Sequence, residues 1–486
     1  MRPAFSMYRR FLLGIVIVML SSASAVAAAG ILELHDDASI FREHSRTIAN
    51  IESALDGVDP GGPQTIMLLG SDQRWVDIQT KAPVRSDTII LVRLDPSKGA
   101  TAIMSLPRDL KVRIPGHGTD KINAAYAIGG PALTVRTVRS LLKIPIHHVI
   151  NINFGGFRRA VNRLGCVYTD IDRRYFNDNN PPFGGGPKYA TIDIKAGYQR
   201  ICGQDALDFV RYRHLDNDIV RAARQQQFLA DAKDQIGTGK LFADRKELIK
   251  IFGRYTQTDI RSDDAILRLI KLAVLSAEKP VQEVRFPGRF EGEFVTVSER
   301  ELAEVTRRFM NARGTGGPRG TVRRTRSSKP RGGQRRSSGL PPGMLAATRQ
   351  GEDQAARLAT RTGFPVYYPR AIVAGAQYMT DHSRAYTITD RGGHKYRAYR
   401  IVVKTNELGQ YYGIQGTTWP SPPILDNPSE RRKMAGRTYE LFYDGTRLRL
   451  VAWRSGNARY WISNTLLHSL SNQKMLALAR SVAKIS

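Results

Sequence analysis

Residues 88–106 read TIILVRLDPSKGATAIMSL, and this stretch decides the fold class of the first half of the chain. Two apolar runs, at 88–94 and 100–106, flank the turn sequence DPSKG at 95–99. Apolar runs rich in β-branched residues, separated by a short turn that contains Pro and Gly, predict a β-hairpin. The run TIMLL at 65–69 predicts a buried strand that precedes this hairpin.

Helical segments alternate with further strands after the hairpin. Gly130-Pro131 opens a helix that extends to about Leu142, since proline favours the first helical position. The remaining elements predicted from periodicity are strands at 147–153 and 167–171 and helices at 157–164, 204–212 and 221–236. Strands and helices mixed in this way predict a layered α/β domain with a mixed sheet, over residues 60–312.

A second unit follows a basic segment. Nine Lys/Arg and no acid lie between Arg313 and Ser337, among Gly, Ser and Pro, which predicts a disordered basic linker at 313–349. Residues 350–486 are predicted to form a small α+β domain of unknown role. Its strands are expected at 398–404, 438–443, 447–453 and 458–462, with a closing helix at 472–485.

The composition limits the function classes. The net charge of +30 suggests anionic partners, but much of the excess lies in the linker, and basic strands interleaved with aromatic residues are missing. Nucleic acid is therefore not the expected partner. Two cysteines, Cys166 and Cys202, are too few for a disulfide-dense scaffold or a cysteine-rich zinc site. They form either one bridge or two unrelated buried thiols.

The N-terminus predicts the compartment. Three arginines, the last at Arg10, precede an uncharged stretch at 11–32, which is long enough to cross a bilayer core of about 30 Å. The basic flank favours an N-inside orientation. Residues 1–33 are therefore predicted to be a single-pass membrane anchor, followed by a juxtamembrane helix at 34–59. The small residues SASAVAAA also fit a cleavable signal peptide, and both readings place the later residues outside the cytoplasm.

Arginine and aspartate recur together at the predicted ends of strands and helices. The segments are RSD at 85–87, PRD at 107–109, RYR at 211–213 and DIVRAARQQ at 218–226, with Lys121 between them. Guanidinium forks match phosphate oxygens, and aspartates can hold Mg²⁺ beside a substrate phosphate. Any one of these arginines is ordinarily explained by a surface salt bridge. Their recurrence at element ends favours a site for phosphoryl transfer.

Aromatic and histidine residues carry weaker signals. Trp419, Trp453, Trp461 and the pair Tyr411-Tyr412 are either a carbohydrate-stacking set or core aromatics of a small sheet, and the core is favoured. His147-His148, at a strand start, is expected to be structural or exposed.

Seven motifs together resemble the LytR-CpsA-Psr family of cell-wall glycopolymer ligases. They are TIMLLGSD (65–72), RSDTIILV (85–92), SLPRD (105–109), KINAAYAIGGP (121–131), NFGGFRRAVNRLGCV (153–167), GQDALDFVRYR (203–213) and DIVRAARQQ (218–226). The resemblance implies an extracytoplasmic αβα domain that transfers a glycopolymer from a polyprenyl-pyrophosphate carrier to peptidoglycan. It implies that Mg²⁺ is the cofactor and that the lipid tail occupies an apolar pocket under the sheet.

The resemblance also implies roles for particular residues. Asp72 and Asp87 would hold Mg²⁺, and the catalytic residues would be Asp87, Arg108 and Arg221. The pyrophosphate would be gripped by Arg85, Arg108, Lys121, Arg211, Arg213, Arg221 and Gln225. Asp87 could also orient the acceptor hydroxyl, and the general base stays open.

Two functions therefore compete. The first is a Mg²⁺-dependent phosphotransferase at the cytoplasmic membrane, with its catalytic domain outside the cell. The second is a membrane-anchored binder or regulator that grips anionic lipid or wall polymer without chemistry. A pure binder needs the arginines but has no need of a metal-holding aspartate.

Overall fold

The protein is described here by a computed structural model. It describes residues 39–40, 43–44, 46–48, 50–58, 62–71, 86–98, 100–180, 191–212, 218–235, 244–260, 262, 265–266, 281–312, 340–407 and 409–485. The backbone alone is described for Ser71, Ser86, Asp87, Pro96, Ala100, Asp218, Arg245, Ile249, Phe252 and Val281.

The first unit contains fifteen named strands and six named helices within these described residues. The strands are β1 (Arg46–Thr47), β2 (Gln64–Ser71), β3 (Ser86–Asp95), β4 (Ala100–Leu106), β5 (Lys111–Ile114), β6 (Gly118–Lys121), β7 (His148–Asn153), β8 (Val167–Ile171), β9 (Tyr175–Asn177), β10 (Ile192–Ile194), β11 (Gly197–Ile201), β12 (Thr256–Thr258), β13 (Val281–Glu283), β14 (Arg289–Glu291) and β15 (Phe294–Thr296). The helices are α1 (Ile122–Leu142), α2 (Phe154–Arg163), α3 (Gly203–Arg211), α4 (Asp218–Gln235), α5 (Arg245–Tyr255) and α6 (Glu299–Met310). Short 3₁₀ turns lie at Glu52–Ala54 and Pro96–Lys98.

Seven strands form the central sheet, in the order β1-β12-β7-β2-β3-β4-β13. β2, β3 and β4 are antiparallel neighbours, so the predicted hairpin at 88–106 is confirmed. β7 runs parallel to β2, and β13 runs parallel to β4. The sheet is therefore mixed, as the sequence indicates.

Helices cover both faces of this sheet. On one face α1 and α6 pack over a core that includes Met67, Leu91 and Met104. On the other face α4 packs over Ile90 and Ile103. Because residues alternate between faces along a strand, neighbouring apolar side chains of one strand fill two different cores. The unit is an αβα sandwich, which confirms the fold class.

Two expectations for the first unit need correction, and one lies outside the described residues. Residues 46–47 form β1, paired parallel to β12, and 52–54 form a 3₁₀ turn, so 34–59 is not one continuous helix. Helix α1 starts at Ile122, before the expected Pro131, and breaks at Gly129 and Gly130, where φ of Gly130 is +60°. The apolar stretch 11–32 is not among the described residues, and none of the described helices is long and apolar enough to cross a membrane.

The C-terminal unit is built on one large antiparallel sheet. Its strands are β16 (Met344–Ala346), β17 (Val366–Pro369), β18 (Ala371–Val373), β19 (Gln377–Tyr378), β20 (Arg384–Thr389), β21 (Lys395–Lys404), β22 (Tyr411–Thr417), β23 (Glu430–Met434), β24 (Arg437–Asp444), β25 (Arg447–Ser455), β26 (Ala458–Ser463) and β27 (Val482–Ile485). Its helices are α7 (Thr348–Thr362) and α8 (Asn472–Arg480), with a 3₁₀ turn at Pro423–Leu425. The sheet order is β19-β21-β22-β26-β25-β24-β23, and β20 pairs with β21.

Both ends of this unit differ from expectation. β16 and the start of α7 fall inside the segment 313–349, so the unit begins before residue 350. The closing helix ends at Arg480, and Val482–Ile485 forms a strand that pairs antiparallel with Val366–Pro369. The five aromatic residues considered for carbohydrate stacking are all buried, which confirms the core interpretation.

The two units share a buried contact. Tyr168 and Tyr198 of the first unit pack against Trp419 and Trp461 of the second, with ring centroids 5.2 Å apart for Tyr168–Trp419 and 5.7 Å apart for Tyr198–Trp461. Aromatic pairs at such separations are favoured in offset or edge-to-face geometry. The C-terminal unit is thus packed onto the first rather than tethered beside it.

Candidate functional site

Four strands of the central sheet bring their ends to one edge. Ser71, the last residue of β2, pairs with Ser86 of β3 and with Asn153 of β7. Leu106, the last residue of β4, pairs with Ile89 of β3. The end of β2, the start of β3, the turn after β4 and the start of α2 therefore lie side by side. This edge carries the candidate site.

The turn after β4 holds Arg108. The Pro107 carbonyl accepts a hydrogen bond from the Leu110 amide at 3.1 Å, and the Arg108 carbonyl accepts one from the Asn123 amide at 3.2 Å. Arg108 Nε lies 3.5 Å from Asp109 Oδ2, and the arginine side chain is 11% exposed. The guanidinium is therefore held at the sheet edge while part of it still reaches the surface.

Lys121 lies beside this turn, at the start of α1. Its Nζ is 3.9 Å from Asp109 Oδ1 and 3.0 Å from Glu293 Oε2. The same Nζ is 5.6 Å from the centre of the Phe294 ring. Arg108 and Lys121 thus form one basic pair around Asp109.

Helix α4 carries Arg221 and Gln225 one turn apart, so both project from the same face. Both side chains are buried. Gln225 Nε2 donates to Thr88 Oγ1 at 3.0 Å, and the Ser105 hydroxyl donates to Gln225 Oε1 at 3.3 Å. Ser105 precedes Arg108 by three residues in β4 and its turn. Gln225 therefore ties α4 to the edge that carries Arg108.

Helix α3 ends in Arg211, whose guanidinium carbon lies 3.8 Å from the centre of the Phe154 ring. A cation over a ring face at this distance is attracted by the ring quadrupole. Phe154 opens α2, directly after β7, so Arg211 also lies at the sheet edge. Nearby on α3, burial raises the pKa of Asp208, which accepts a hydrogen bond from Gln204 at 2.8 Å.

A disulfide fixes the other end of α3. Cys202 is the N-cap residue of this helix and is bonded to Cys166, which precedes β8. The bridge alternative left open by the sequence is therefore the one found in the structure. Because α3 is anchored at Cys202, the position of Arg211 at its far end is constrained.

An apolar cavity opens between the sheet and helices α2, α3 and α4. Its volume is about 110 Å³, and its mouth is open to solvent. Most of its lining residues are apolar; the lining is Leu68, Leu69, Gly70, Thr88, Ile90, Ile152, Asn153, Phe154, Phe157, Leu207, Val210, Arg211, Gln225, Phe228 and Leu229. Arg211 and Gln225 are thus shared between the cavity wall and the polar site. An apolar cavity that meets a cation suits an amphiphile with an anionic head.

Five of the predicted site residues are described in two groups. Arg108 and Lys121 flank Asp109, and Arg211 and Gln225 line the cavity, with Arg221 one turn before Gln225 on α4. Asp72, Arg85 and Arg213 lie outside the described residues, as does the side chain of Asp87. The backbone of Asp87 lies at the sheet edge, between Ser86 and Thr88. Both Mg²⁺ ligands implied by the resemblance are therefore untested, and the metal stays a prediction.

Some functional and structural residues were missed by sequence reasoning. The cavity lining carries a signal in hindsight: Leu207, Val210 and Arg211 share a helix face, as do Gln225, Phe228 and Leu229. Ordinary core helices show the same spacing, so the pattern alone does not identify a cavity.

Both histidines at the start of β7 have structural roles. His148 Nδ1 lies 2.7 Å from Asp259 Oδ2, and His147 Nδ1 accepts a hydrogen bond from the Thr65 amide at 2.9 Å.

Comparison with known proteins agrees with this geometry. A sequence model of the LytR_cpsA_psr family matches residues 32–309, more than half of the chain, and the chain belongs to this family. It is similar to the polyisoprenyl-teichoic acid–peptidoglycan teichoic acid transferase TagT of Bacillus subtilis, at 26% identity over 303 residues, covering 61% of this chain and 92% of TagT. It is also similar to the transferase TagU of Oceanobacillus iheyensis, at 34% identity over 206 residues, covering 41% of this chain and 59% of TagU.

A solved structure of TagT with bound octaprenyl pyrophosphate lipid also aligns with this chain. The identity is 26% and the TM-score 0.39, and the alignment covers 55% of this chain and 98% of that one.

Proposed function

We propose that this protein transfers a glycopolymer from a polyprenyl-pyrophosphate carrier to peptidoglycan. The observation that carries the proposal is the apolar cavity whose wall includes Arg211 and Gln225. A polyprenyl chain is apolar over its whole length, and its pyrophosphate is a dense anion. A substrate with these two parts needs an apolar space that ends in cations, and the sheet edge provides both.

The bound pyrophosphate would meet several cations of this chain. Arg211 lies at the cavity wall, Arg221 lies on the same helix face as Gln225, and Arg108 and Lys121 flank Asp109 at the same sheet edge. Guanidinium groups bind phosphate oxygens in pairs and stay charged at working pH. They would neutralise the charge that develops on the leaving phosphate.

The transfer is a single displacement at one phosphorus atom. The acceptor hydroxyl oxygen attacks the phosphorus on the glycopolymer side of the pyrophosphate. The bond from that phosphorus to the bridging oxygen breaks, and polyprenyl phosphate leaves. The proton of the hydroxyl passes to a base or to solvent. Asp87, at the start of β3, is the residue we assign to orient that hydroxyl.

Mg²⁺ belongs to the same proposal. Asp72 follows Ser71 at the end of β2, and Ser71 pairs with Ser86, the neighbour of Asp87. Two carboxylates from adjacent strand ends suit Mg²⁺, which binds few carboxylates together with substrate phosphates. When bound, the ion would neutralise phosphate charge. The names of the relatives specify teichoic acid as the glycopolymer, and we propose a wall glycopolymer of this anionic class here.

The assay uses the full-length chain in detergent, with geranylgeranyl pyrophosphate and Mg²⁺, and follows release of inorganic phosphate. Arg108→Ala and Asp87→Ala are each expected to abolish release. Arg113→Ala is the matched control, because Arg113 is an exposed arginine on the nearby strand β5. Release that needs Mg²⁺ and Arg108 supports the phosphotransferase. Lipid binding without release under any condition would instead support the non-catalytic binder.

We further propose that residues 1–33 anchor the chain in the cytoplasmic membrane, with the site on the outer side. The basic residues before the uncharged stretch 11–32 support this orientation. Protease added to intact protoplasts should digest the protein, and deletion of 1–33 should release it from membranes. The mass of the mature chain separates the two N-terminal readings, because cleavage of a signal peptide removes these residues.

A further inference from the structure

Helix α4 has two opposite faces with different neighbours. Gln225 lines the cavity and bonds to Thr88 at the sheet edge, and Arg221 lies one turn before Gln225 on the same helix face. The opposite face carries Val220 and Ala223, which are buried together with Leu466 of the C-terminal unit. At 3.6 residues per turn, these positions lie on opposite sides of the helix axis. The C-terminal unit therefore contacts α4 from behind the candidate site.

A second contact from the C-terminal unit reaches the end of α3. The guanidinium carbon of Arg173 lies 5.2 Å from the ring centre of Tyr411 and 5.2 Å from the ring centre of Tyr212. Arg173 and Tyr212 are both fully buried. Tyr212 is the residue between Arg211 and Arg213, two of the predicted pyrophosphate ligands. Tyr411 thus contacts Arg173, and Arg173 in turn contacts Tyr212, the residue that follows Arg211 at the end of α3.

Arg224 joins the two arginine-bearing segments to each other. It lies on α4, is fully buried, and its Nη2 donates to the Tyr212 carbonyl at 2.5 Å. Its guanidinium carbon lies 4.7 Å from the ring centre of Tyr175, the ring over which Arg173 also sits at 4.5 Å. Two buried arginines and three tyrosines therefore form one continuous packed group. A shift of the C-terminal unit would move both segments.

A buried ion pair between the two units holds them in a fixed relative position. Arg400 of β21 is fully buried, and its Nη1 lies 3.1 Å from Asp170 Oδ1 of β8. Ser463 donates to the other oxygen of the same carboxylate. A buried ion pair is costly to break, because removal of one partner leaves a buried charge alone. Sliding of one unit over the other is thereby opposed.

We propose that the C-terminal unit, residues 340–485, positions the pyrophosphate-binding arginines through Tyr411 and Leu466. Both are positioning residues: Leu466 packs on α4, and Tyr411 acts on the end of α3 through Arg173. The activity part of this inference rests on the proposed function. A displacement of about 1 Å in a positioned group can cost as much as about 100-fold in rate. The C-terminal unit would thus be part of the catalytic machinery rather than an appended module.

The experiment uses the full-length protein with geranylgeranyl pyrophosphate and Mg²⁺. Leu466→Ala and Tyr411→Leu are each expected to lower kcat/KM for phosphate release by about 10-fold or more. Leu466→Met and Tyr411→Phe keep the apolar volume or the ring and should restore most of it. Leu448→Ala is the control, because Leu448 is fully buried in the same unit but packs in a cluster that does not include α4.

Hydrogen exchange of the amides at 218–235 supplies an independent readout. Leu466→Ala should speed this exchange, whereas Leu448→Ala should leave it at the wild-type rate. Wild-type kcat/KM in both Leu466→Ala and Tyr411→Leu would overturn the inference. If the wild-type protein releases no phosphate, the proposed function fails. In that case hydrogen exchange is the test of the positioning role, and an unchanged exchange rate in Leu466→Ala overturns that role.

Discussion

Gln225 Nε2 donates to Thr88 Oγ1 at 3.0 Å and to the Val210 carbonyl at 3.1 Å, while Gln225 Oε1 accepts from Ser105. One amide therefore joins α3, α4, β3 and β4 at the residue next to Asp87. These hydrogen bonds give the amide a structural role, and the ligand role that the resemblance implied for Gln225 stays a prediction. A buried side chain with this many partners defines the distance between helices and strands.

Replacing Gln225 by alanine should lower both stability and phosphate release. The change leaves two hydroxyls and one carbonyl without their amide partner, which costs about 1–3 kcal/mol of unfolding free energy. Urea unfolding and the phosphate assay measure the two effects. Gln226→Ala is the matched control, because Gln226 donates to the Val284 carbonyl at 3.1 Å, away from Asp87. Equal loss of activity in both variants would remove Gln225 from the site.

Filling the apolar cavity should weaken binding of long lipids alone. Val210 lines the cavity from α3, and Val210→Trp places a large ring where the tail would lie. We expect the affinity for geranylgeranyl pyrophosphate to fall about 10-fold or more, with an overpacking cost of about 1–3 kcal/mol in stability. Dimethylallyl pyrophosphate has the same head and a short tail, so its affinity for Val210→Trp should equal its affinity for the wild-type protein. Calorimetric titration compares the two ligands, and an equal loss for both would contradict the cavity's role.

Removing the disulfide should destabilise the first unit. Cys166 and Cys202 are separated by 36 residues, and closing a loop of that size stabilises by about 3–4 kcal/mol in the chain-entropy model. We expect the double variant, with both cysteines changed to serine, to unfold at lower urea by a matching amount. Reductant should shift the wild-type protein to the same midpoint and leave the variant unchanged. A wild-type urea midpoint that does not change with reductant would argue against the disulfide.

Acid should weaken the fold through His147. Burial first, and the neighbouring charge of His148 second, lower the pKa of His147 below its ordinary value of 6.5. The folded state therefore prefers the neutral ring, so this stability is complete above pH 6.5 and is lost as pH falls through the folded-state pKa. His147→Gln can still accept from the Thr65 amide but does not titrate. Its urea midpoint should fall less than that of the wild-type protein between about pH 7.5 and 5.5; parallel curves would contradict this.

Much of the fold follows from local sequence, and the exceptions are pairings between distant segments. The hairpin at 88–106 was predictable because its strands are apolar on both faces and its turn is short. β1 was not, because Arg46 and Thr47 owe their strand geometry to pairing with Gln257 and Thr258. Val482–Ile485 continued the helical pattern of α8, but pairing with Val366–Pro369 decides its conformation. Tertiary hydrogen bonds override weak local preferences in such short segments.

The charged part of the site was easier to predict than its apolar part. Arg108, Arg211 and Arg221 stand at element ends, where charge is unusual in a strand-rich core and therefore visible in sequence. The cavity is built from leucine, isoleucine, valine and phenylalanine that differ in no chemical way from core residues. Only the spacing of the helices from the sheet leaves it open. The role of Gln225 depends on four elements at once and has no local signature.

The buried pair of Asp170 and Arg400 bears on how this chain could have been assembled and how it could be re-engineered. A chimera that joins the first unit to a different C-terminal module would leave Asp170 facing that module without its guanidinium. Tyr168 and Tyr198 would lose the tryptophans that cover them. Shuffling at the linker would therefore succeed only with compensating changes in β8 and β11. The two halves are expected to have diverged together, as a single inherited unit.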